Sequence, residues 1–381
     1  MKIKQIPEDF VVDELYDLDE LKNKKAEGPK FYYFILKKKD YTVNKAIEII
    51  ARTFGLGERD IHFAGTKDRF ALTTQLISMK RLKENWKETL KYFNESNTDL
   101  NLTFLGNFPS RINLGDNIGN KFTITLRDLT DEEVKTIKEK ISNSKKKILN
   151  LFGSQRFGFQ RNNITIGKYL LRGDFENAFF HILTTIPEIS KKEHEDFVNY
   201  LKNNWKKIIE SNNWLPVLEI IPFWLHKEKE MILWVSKYKN DFLGAINKIH
   251  KKIRTMYVNS YQSYLFNETV IYLDSIGKLE EYEELPLVSS ETNLKGDLGN
   301  FIRGLLSKDG LNLSYFEMKR SPTIKPKEVM RKVYLDVSEL KILSVEEDEL
   351  NSGKKKSVLN FSLSSGNYAT VVIDWLKINK F

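Results

Sequence analysis

Strand-like sequence occupies both ends of this 381-residue chain and is scarce in its middle. Aromatic and β-branched runs at 10–12 and 31–36 predict strands, as does the alternating Phe122-Thr123-Ile124-Thr125-Leu126. Thr42 predicts the cap of a helix whose apolar face is Ala46, Ile47, Ile49 and Ile50, with Gly55 and Gly57 as stop signals. Residues 84–93 predict a helix, 101–105 a strand, and 132–147 a charged helix ending in a lysine run. From about Ile148 onward the long predicted elements are helices, at 191–210, 239–253 and 258–276, and Leu285-Pro286-Leu287 and Ser321-Pro322 punctuate the later part. Strands return at 358–363 and 368–373, while 346–356, with an acidic cluster, Asn351-Ser352-Gly353 and three lysines, reads as a solvated loop. A chain of this length exceeds one ordinary core. A β-rich start, a helix-rich middle and a β-rich end therefore predict one domain inserted into another.

Composition narrows the chemistry. With 41% hydrophobic residues, 24 Phe and 16 Tyr, the chain can fill sizeable cores, which excludes a disordered protein. Its 61 basic and 52 acidic side chains leave a net charge of +9, an excess that favours a polyanionic partner. The absence of cysteine excludes disulfides, thiolate metal sites and a cysteine nucleophile. The five histidines, His62, His181, His194, His226 and His250, never fall at the spacing of a helical metal pair. No apolar run at the amino terminus suits a secretory signal, and none approaches the ~18 residues of a membrane-spanning helix. A soluble cytoplasmic protein with no membrane association is the expectation.

One short segment concentrates chemical potential. The apolar Ile61-His62-Phe63-Ala64 stops at Gly65, and Thr66-Lys67-Asp68-Arg69 then sets a carboxylate between two cations. Phe70-Ala71-Leu72 and the polar Thr73-Thr74-Gln75 lead into a second apolar run, Leu76 to Met79. This order predicts strand, tight polar loop, strand. A lone carboxylate at a strand end, with cations nearby to keep it ionised, suits a nucleophile or a general base. Lys-Asp-Arg is also an ordinary solvated turn, the commoner case for such a tripeptide.

Other segments add to it. Asn150-Leu151-Phe152-Gly153-Ser154-Gln155-Arg156-Phe157-Gly158 mixes glycines, an arginine and aromatics, a combination that suits phosphate or base contact and also a domain-boundary turn. In Gly119-Asn120-Lys121-Phe122, Phe122 shares a strand face with Ile124 and Leu126, which points to core packing, and Asn120 reads as a turn residue. Tyr261, Tyr264 and Leu265 recur at helical spacing, again a core pattern. Gly366-Asn367-Tyr368-Ala369-Thr370-Val371-Val372 reads as a turn into a last strand.

Taken in order, these segments resemble the TruD family of tRNA pseudouridine synthases, and the length and large central segment look most like its archaeal branch. The matching elements are Lys4 with Pro7-Glu8-Asp9-Phe10, then Phe63-Ala64-Gly65 with Lys67-Asp68 and Thr74-Gln75, then Gly119 to Phe122. They continue through Asn150, Phe152-Gly153 and Gln155 to Gly158, the Tyr261 to Asn267 helix, and Gly366 with Tyr368-Ala369-Thr370. The resemblance implies an α+β fold: a pseudouridine synthase catalytic domain with a mainly antiparallel mixed sheet, at 1–146 and 344–381, and a helix-rich α/β inserted (TRUD) domain at 147–343. It implies isomerisation of uridine to pseudouridine in tRNA, at uridine-13 of the D-arm, with no metal, nucleotide or other cofactor; the sequence leaves the oligomeric state open, with a monomer as the expectation.

Position by position, the family's nucleophile falls on Asp68 and its basic residue on Lys4. The residues expected against substrate are Phe10, Asn120, Phe122 and Tyr368, with Arg156, Arg161 and Lys145 to Lys147 on tRNA phosphates. Attack of Asp68 at C1′, assistance to a glycal route and addition at C6 all stay open. Leu151 departs from a common aromatic, and Asp374-Trp375 from a common Arg-Glu. A non-catalytic RNA-binding protein or RNA chaperone would use the same basic surface without forming product. A carboxylate-dependent nuclease would need paired carboxylates, which are scarce in these motifs.

Overall fold

The computed structural model describes residues 1–26, 28, 30–143, 147–187 and 190–377. Its strands in chain order are β1 (Phe10–Leu15), β2 (Phe31–Lys39), β3 (Ile61–Phe63), β4 (Leu72–Met79), β5 (Leu100–Phe108), β6 (Gly119–Leu129), β7 (Glu284–Leu287), β8 (Val329–Lys332), β9 (Val337–Glu347) and β10 (Lys355–Ser364). The chain divides into two units, Met1–Ile148 with the segment from Leu335 onward, and Leu149–Tyr334.

The first unit is built on one sheet of order β5-β2-β4-β1-β6-β10-β9, with β3 added to β4. Every pairing is antiparallel except β1 with β4, so the sheet is mixed and the fold is α+β. Register decides which side chains share a face, because directly paired residues point the same way. Lys38 pairs with Thr73, Thr73 with Val12, Val12 with Phe122 and Phe122 with Phe361. One face thus carries Phe34, Leu36 and Lys38 on β2, Thr73, Gln75 and Ile77 on β4, Phe10, Val12 and Glu14 on β1, and Asn120 and Phe122 on β6. Part of that face is covered by helix Val43–Phe54, capped by the Thr42 hydroxyl, which accepts from the Lys45 amide at 3.2 Å. The helix buries Val43, Ala46, Ile47, Ile50, Ala51 and Phe54, while Ile49 is only half-buried.

Three local expectations are corrected. Residues 368–373 do not form a strand; Ala369–Leu376 is a helix. The β-branched run 370–373 favours a strand by propensity, but Ala369, Val372, Ile373 and Leu376 recur at helical spacing and are all buried. The solvated loop expected at 346–356 is confined to 348–354, since β9 ends at Glu347 and β10 begins at Lys355, and its first residue, Asp348, is buried. The predicted helix at 239–253 is broken into Phe242–Ile246 and Lys251–Ser275, because His250 caps the second helix by accepting from the Lys252 amide at 3.2 Å.

Strand β9 was not expected. Its inward residues, Val337, Leu340, Ile342 and Val345, are only half-buried, as befits an edge strand, and their apolar signal is correspondingly weak. The first unit therefore resumes at Leu335 and not at 344. The charged helix expected at 132–147 ends at Ser142.

The second unit is mostly helical. Its core gathers Phe179, Trp214, Val258, Tyr261, Leu265 and Phe316, which places Tyr261 and Leu265 in the packing role their spacing predicts. Leu285-Pro286-Leu287 lies in the two-stranded ribbon of β7 and β8, where a proline is tolerated at an edge. Among the described residues no helix is long and apolar enough to cross a membrane.

Candidate active site

The segment around Asp68 is a loop between two paired strands: β3 lies against the far half of β4, with Ile61 opposite Met79 and Phe63 opposite Ile77. Asp68 projects from this loop with its side chain about half exposed. Buried polar groups anchor the loop from below. The fully buried Lys38 donates from Nζ to the Asp68 carbonyl and to the Tyr41 carbonyl, both at 2.7 Å. Burial pushes its ammonium down to about 8, against the opposing pull of the Asp68 charge. Lys67 turns inward to a buried ion pair with Glu14, which also accepts from the Tyr16 hydroxyl. Burial pushes the Glu14 carboxyl up, with Lys67 pulling the other way. Gln75 donates from Nε2 to the Gly65 carbonyl at 3.3 Å. Of the two cations flanking Asp68, Lys67 is thus structural, and Arg69 pairs with exposed Asp40 at 3.2 Å.

The cation that meets Asp68 comes from the amino terminus. Lys4 Nζ lies 2.7 Å from Asp68 Oδ2 and 3.9 Å from the centroid of the Phe10 ring. Lys4 holds a left-handed backbone, φ +56°, which a lysine adopts only where its surroundings impose it. Asp9 imposes it here: its Oδ2 accepts from the Gln5 and Ile6 amides at 2.9 and 3.2 Å. Asp9 is held in turn by Arg127 Nε at 2.8 Å, and the same guanidinium reaches Asp348 at 2.8 Å and Glu349 at 3.0 Å. Burial alone would raise the Asp348 carboxyl, but hydrogen bonds from the Asp128 and Leu350 amides, from Asn351 and from Arg127 hold it well below the usual carboxylate range. The acidic cluster read as a solvated loop is therefore the far end of a network that positions Lys4.

The other expected residues divide. Phe10 and Phe122 are buried, 6.1 Å apart edge to face, and Phe122 stacks on Phe361 at 5.4 Å. Asn120 lies in β6 and not in a turn, because its neighbour Gly119 runs against β10, where a Cβ would stand 2.3 Å from the Leu363 carbonyl oxygen. Asn120 Oδ1 is buried without a hydrogen-bond partner, and so are Thr73 Oγ1 and Gln75 Oε1 on the same sheet face. Tyr368 stands at the start of the last helix with 52% of its surface exposed. Arg156 belongs to the second unit, where its Nε donates to Ser263 Oγ at 3.0 Å and its guanidinium lies 5.4 Å from the Phe152 centroid. Lys145 and Lys146 fall outside the described residues. Lys38, Glu14 and Arg127 carried no recognisable signal: a lysine inside Lys37-Lys38-Lys39 reads as solvated until strand pairing turns it inward.

Asp68 and its ammonium partner thus stand beside buried aromatics on a mixed, mostly antiparallel sheet, and the class of protein this fold carries is that of the pseudouridine synthases. The family profile for tRNA pseudouridine synthase D (TruD) matches residues 1–284 and 273–374, and the chain belongs to that family. It is similar to probable tRNA pseudouridine synthase D 2 of Methanocaldococcus jannaschii, 31% identical over 98% of this chain and 90% of the relative. Probable tRNA pseudouridine synthase D of Nanoarchaeum equitans is likewise 31% identical, over 98% of this chain and 97% of the relative. The crystal structure of the putative tRNA pseudouridine synthase D (TruD) from Methanosarcina mazei has the same fold, with a TM-score of 0.80 at 26% identity, covering 99% of this chain and 94% of that one.

Proposed function

We propose that this enzyme converts uridine-13 in the D-arm of tRNA to pseudouridine with Asp68 as its nucleophile. The observation that carries the reading is the 2.7 Å contact between Lys4 and Asp68, residues 64 positions apart that have no structural need of each other at a half-exposed carboxylate. In the overall reaction the C1′–N1 bond breaks, a C1′–C5 bond forms, and the proton leaving C5 is balanced by one gained at N1. Asp68 acts as an anion whichever route is followed, by attack at C1′, by assisting a glycal route, or by addition at C6. Lys4 orients that carboxylate, and the Phe10 ring orients Lys4 through a cation–π contact.

The unit of Met1–Ile148 and the segment from Leu335 is the catalytic domain on this reading, and Leu149–Tyr334 is the inserted TRUD domain. A uridine within a stem must leave the stack at a cost of a few kcal/mol. Stacking on Tyr368 offsets that by ~1–3 kcal/mol. Phe10 and Phe122, being buried, form the floor of the site. A buried acceptor without a partner costs ~1–3 kcal/mol, and Asn120 Oδ1 regains it by accepting from the uracil N3–H. Arg156 and Arg161 supply phosphate contacts from the second domain.

The test is Asp68→Ala with tRNA as substrate and carbodiimide treatment followed by primer extension as the readout. Pseudouridine is expected to vanish while the Kd for tRNA stays within about threefold, since catalysis and phosphate-driven binding use different groups. Product formation by the variant would refute the nucleophile.

A further inference from the structure

The second unit holds a cationic pocket for which the proposed chemistry at Asp68 has no use. A cavity of about 260 Å³ opens between the end of helix Asn162–Arg172 and the turn after Leu313–Glu317, and it is lined by Arg172, Lys319, Arg320, Ser314, Tyr315 and Ser321 among others, with no carboxylate in its wall. One of the three cations is held by an aromatic ring, and a second lies close against the backbone. The Arg320 guanidinium lies 4.7 Å from the centroid of the Phe175 ring. The Arg172 guanidinium lies across Gly310, where φ is +63° and an added Cβ would stand 2.5 Å from Nη2.

Neighbouring carboxylates are already engaged. Asp309 takes Lys168 at 3.2 Å and the Tyr261 hydroxyl at 2.8 Å, Glu317 takes Lys325 at 3.2 Å, and Asp174 caps the helix that begins at Phe175. Among the described residues, Arg172, Lys319 and Arg320 therefore form no ion pair. Three like charges with no carboxylate at ion-pair distance, Glu317 offsetting Lys319 only from further away, repel one another, a cost that a ligand carrying fixed negative charge removes. A guanidinium already oriented, as that of Arg320 is, loses little freedom on taking a phosphate through two parallel hydrogen bonds. Tyr315, about a third exposed, adds an aromatic face at the pocket's edge, and the Ser314 and Ser321 hydroxyls add donors. Phosphate-binding cations beside an aromatic face match one nucleotide of a looped or single-stranded RNA segment.

We propose that this pocket grips two or three consecutive backbone phosphates of the RNA substrate and stacks one unpaired base on Tyr315. The proposal rests on the reading of the protein as a tRNA-modifying enzyme, and its test separates the two. In the full-length protein, Arg172→Gln, Lys319→Gln and Arg320→Gln are combined, and Tyr315→Ala is made separately. All four residues are exposed, so melting temperatures within about 2 °C of wild type are expected. Binding of tRNA is then titrated between about 50 and 200 mM salt. The triple variant is expected to bind about 10- to 100-fold more weakly at 150 mM salt, with a salt slope lower by about two to three, one for each phosphate no longer neutralised. Turnover at saturating tRNA stays within about twofold, and Tyr315→Ala weakens binding about tenfold with its salt slope unchanged.

An unchanged Kd and slope in the triple variant would overturn the proposal. So would wild-type binding of inorganic phosphate or ATP that the triple variant loses while tRNA affinity stays the same, because the pocket would then serve a free ligand. Wild-type protein that binds tRNA through this pocket yet forms no pseudouridine would refute the proposed function and leave the pocket standing.

Discussion

Arg127→Met isolates the network that holds Lys4 against Asp68. In the wild type, Arg127 compensates two carboxylates that water scarcely reaches, Asp9 at 1% and Asp348 at 4% exposure. Methionine keeps most of the volume and removes the charge, leaving both anions buried. Breaking a buried pair in this way costs about 3–5 kcal/mol. The lower end applies, because Asp9 keeps the Gln5 and Ile6 amides and Asp348 keeps the Asp128 and Leu350 amides. Glu349 is half exposed and adds nothing to the sum.

For a unit of this size, about 3 kcal/mol corresponds to about 6–12 °C in Tm. Differential scanning calorimetry of the full chain at pH 7 measures it, with Lys45→Ala as the control. The Lys45–Glu48 pair is exposed, and its loss should cost under about 0.5 kcal/mol. Acid provides a second reading. Asp348 has a folded pKa below its unfolded value of 3.8, so its stabilising contribution is present above about pH 4 and is lost as pH falls through the folded value. The gap between wild type and Arg127→Met should therefore narrow below about pH 4. At a temperature where the variant stays folded, kcat should fall while the Kd for tRNA holds, because Asp9 no longer fixes the segment carrying Lys4. A Tm loss no larger than that of Lys45→Ala, or a gap that widens in acid, would mean that Arg127 does not compensate Asp9 and Asp348.

Two further substitutions separate support from contact. Lys38→Met removes the donor that ties down the Asp68 carbonyl, and a displacement of about 1 Å at the proposed nucleophile is expected to slow single-turnover product formation about 100-fold. Because burial holds Lys38 near 8 in the fold against 10.5 when unfolded, the unfolded chain binds more protons between those values. Wild-type stability in urea should thus gain on Lys38→Met as pH rises from about 8 to about 10, and a flat or falling difference counts against a buried ammonium. Tyr368→Ala, at an exposed position, should leave Tm within about 2 °C and reduce kcat/KM about 10-fold or more if the ring stacks on the flipped base. Unchanged kcat/KM would remove Tyr368 from the site.

How much was legible in advance depends on the range of the interactions involved. The strand–loop–strand around Asp68, the Thr42-capped helix and the Tyr261–Leu265 core stripe depend on periodicity and turn chemistry within a few residues, and each was readable there. The last helix was misread because Thr370 to Ile373 have strand propensity, whereas their state is set by which of them pack against the sheet. The ends of the loop at 346–356 and its buried Asp348 were misread for a similar reason. Its charges look solvated until Arg127, more than 200 positions away, comes to meet Asp348.

The α+β character, the helix-rich middle, the exclusion of cysteine chemistry and, through the ordered motifs, the family were all readable from the residues alone. The family resemblance pointed to Lys4 as the basic residue near Asp68, and only the fold shows how the two meet. Lys67 and Arg69 adjoin it in sequence, yet Lys67 is drawn inward to Glu14 and the contact falls to Lys4. The physical reason is that burial makes an unpaired charge costly. Each buried ion takes the partner that strand register brings within reach, and register joins segments whose distance along the chain carries no information about their distance in space.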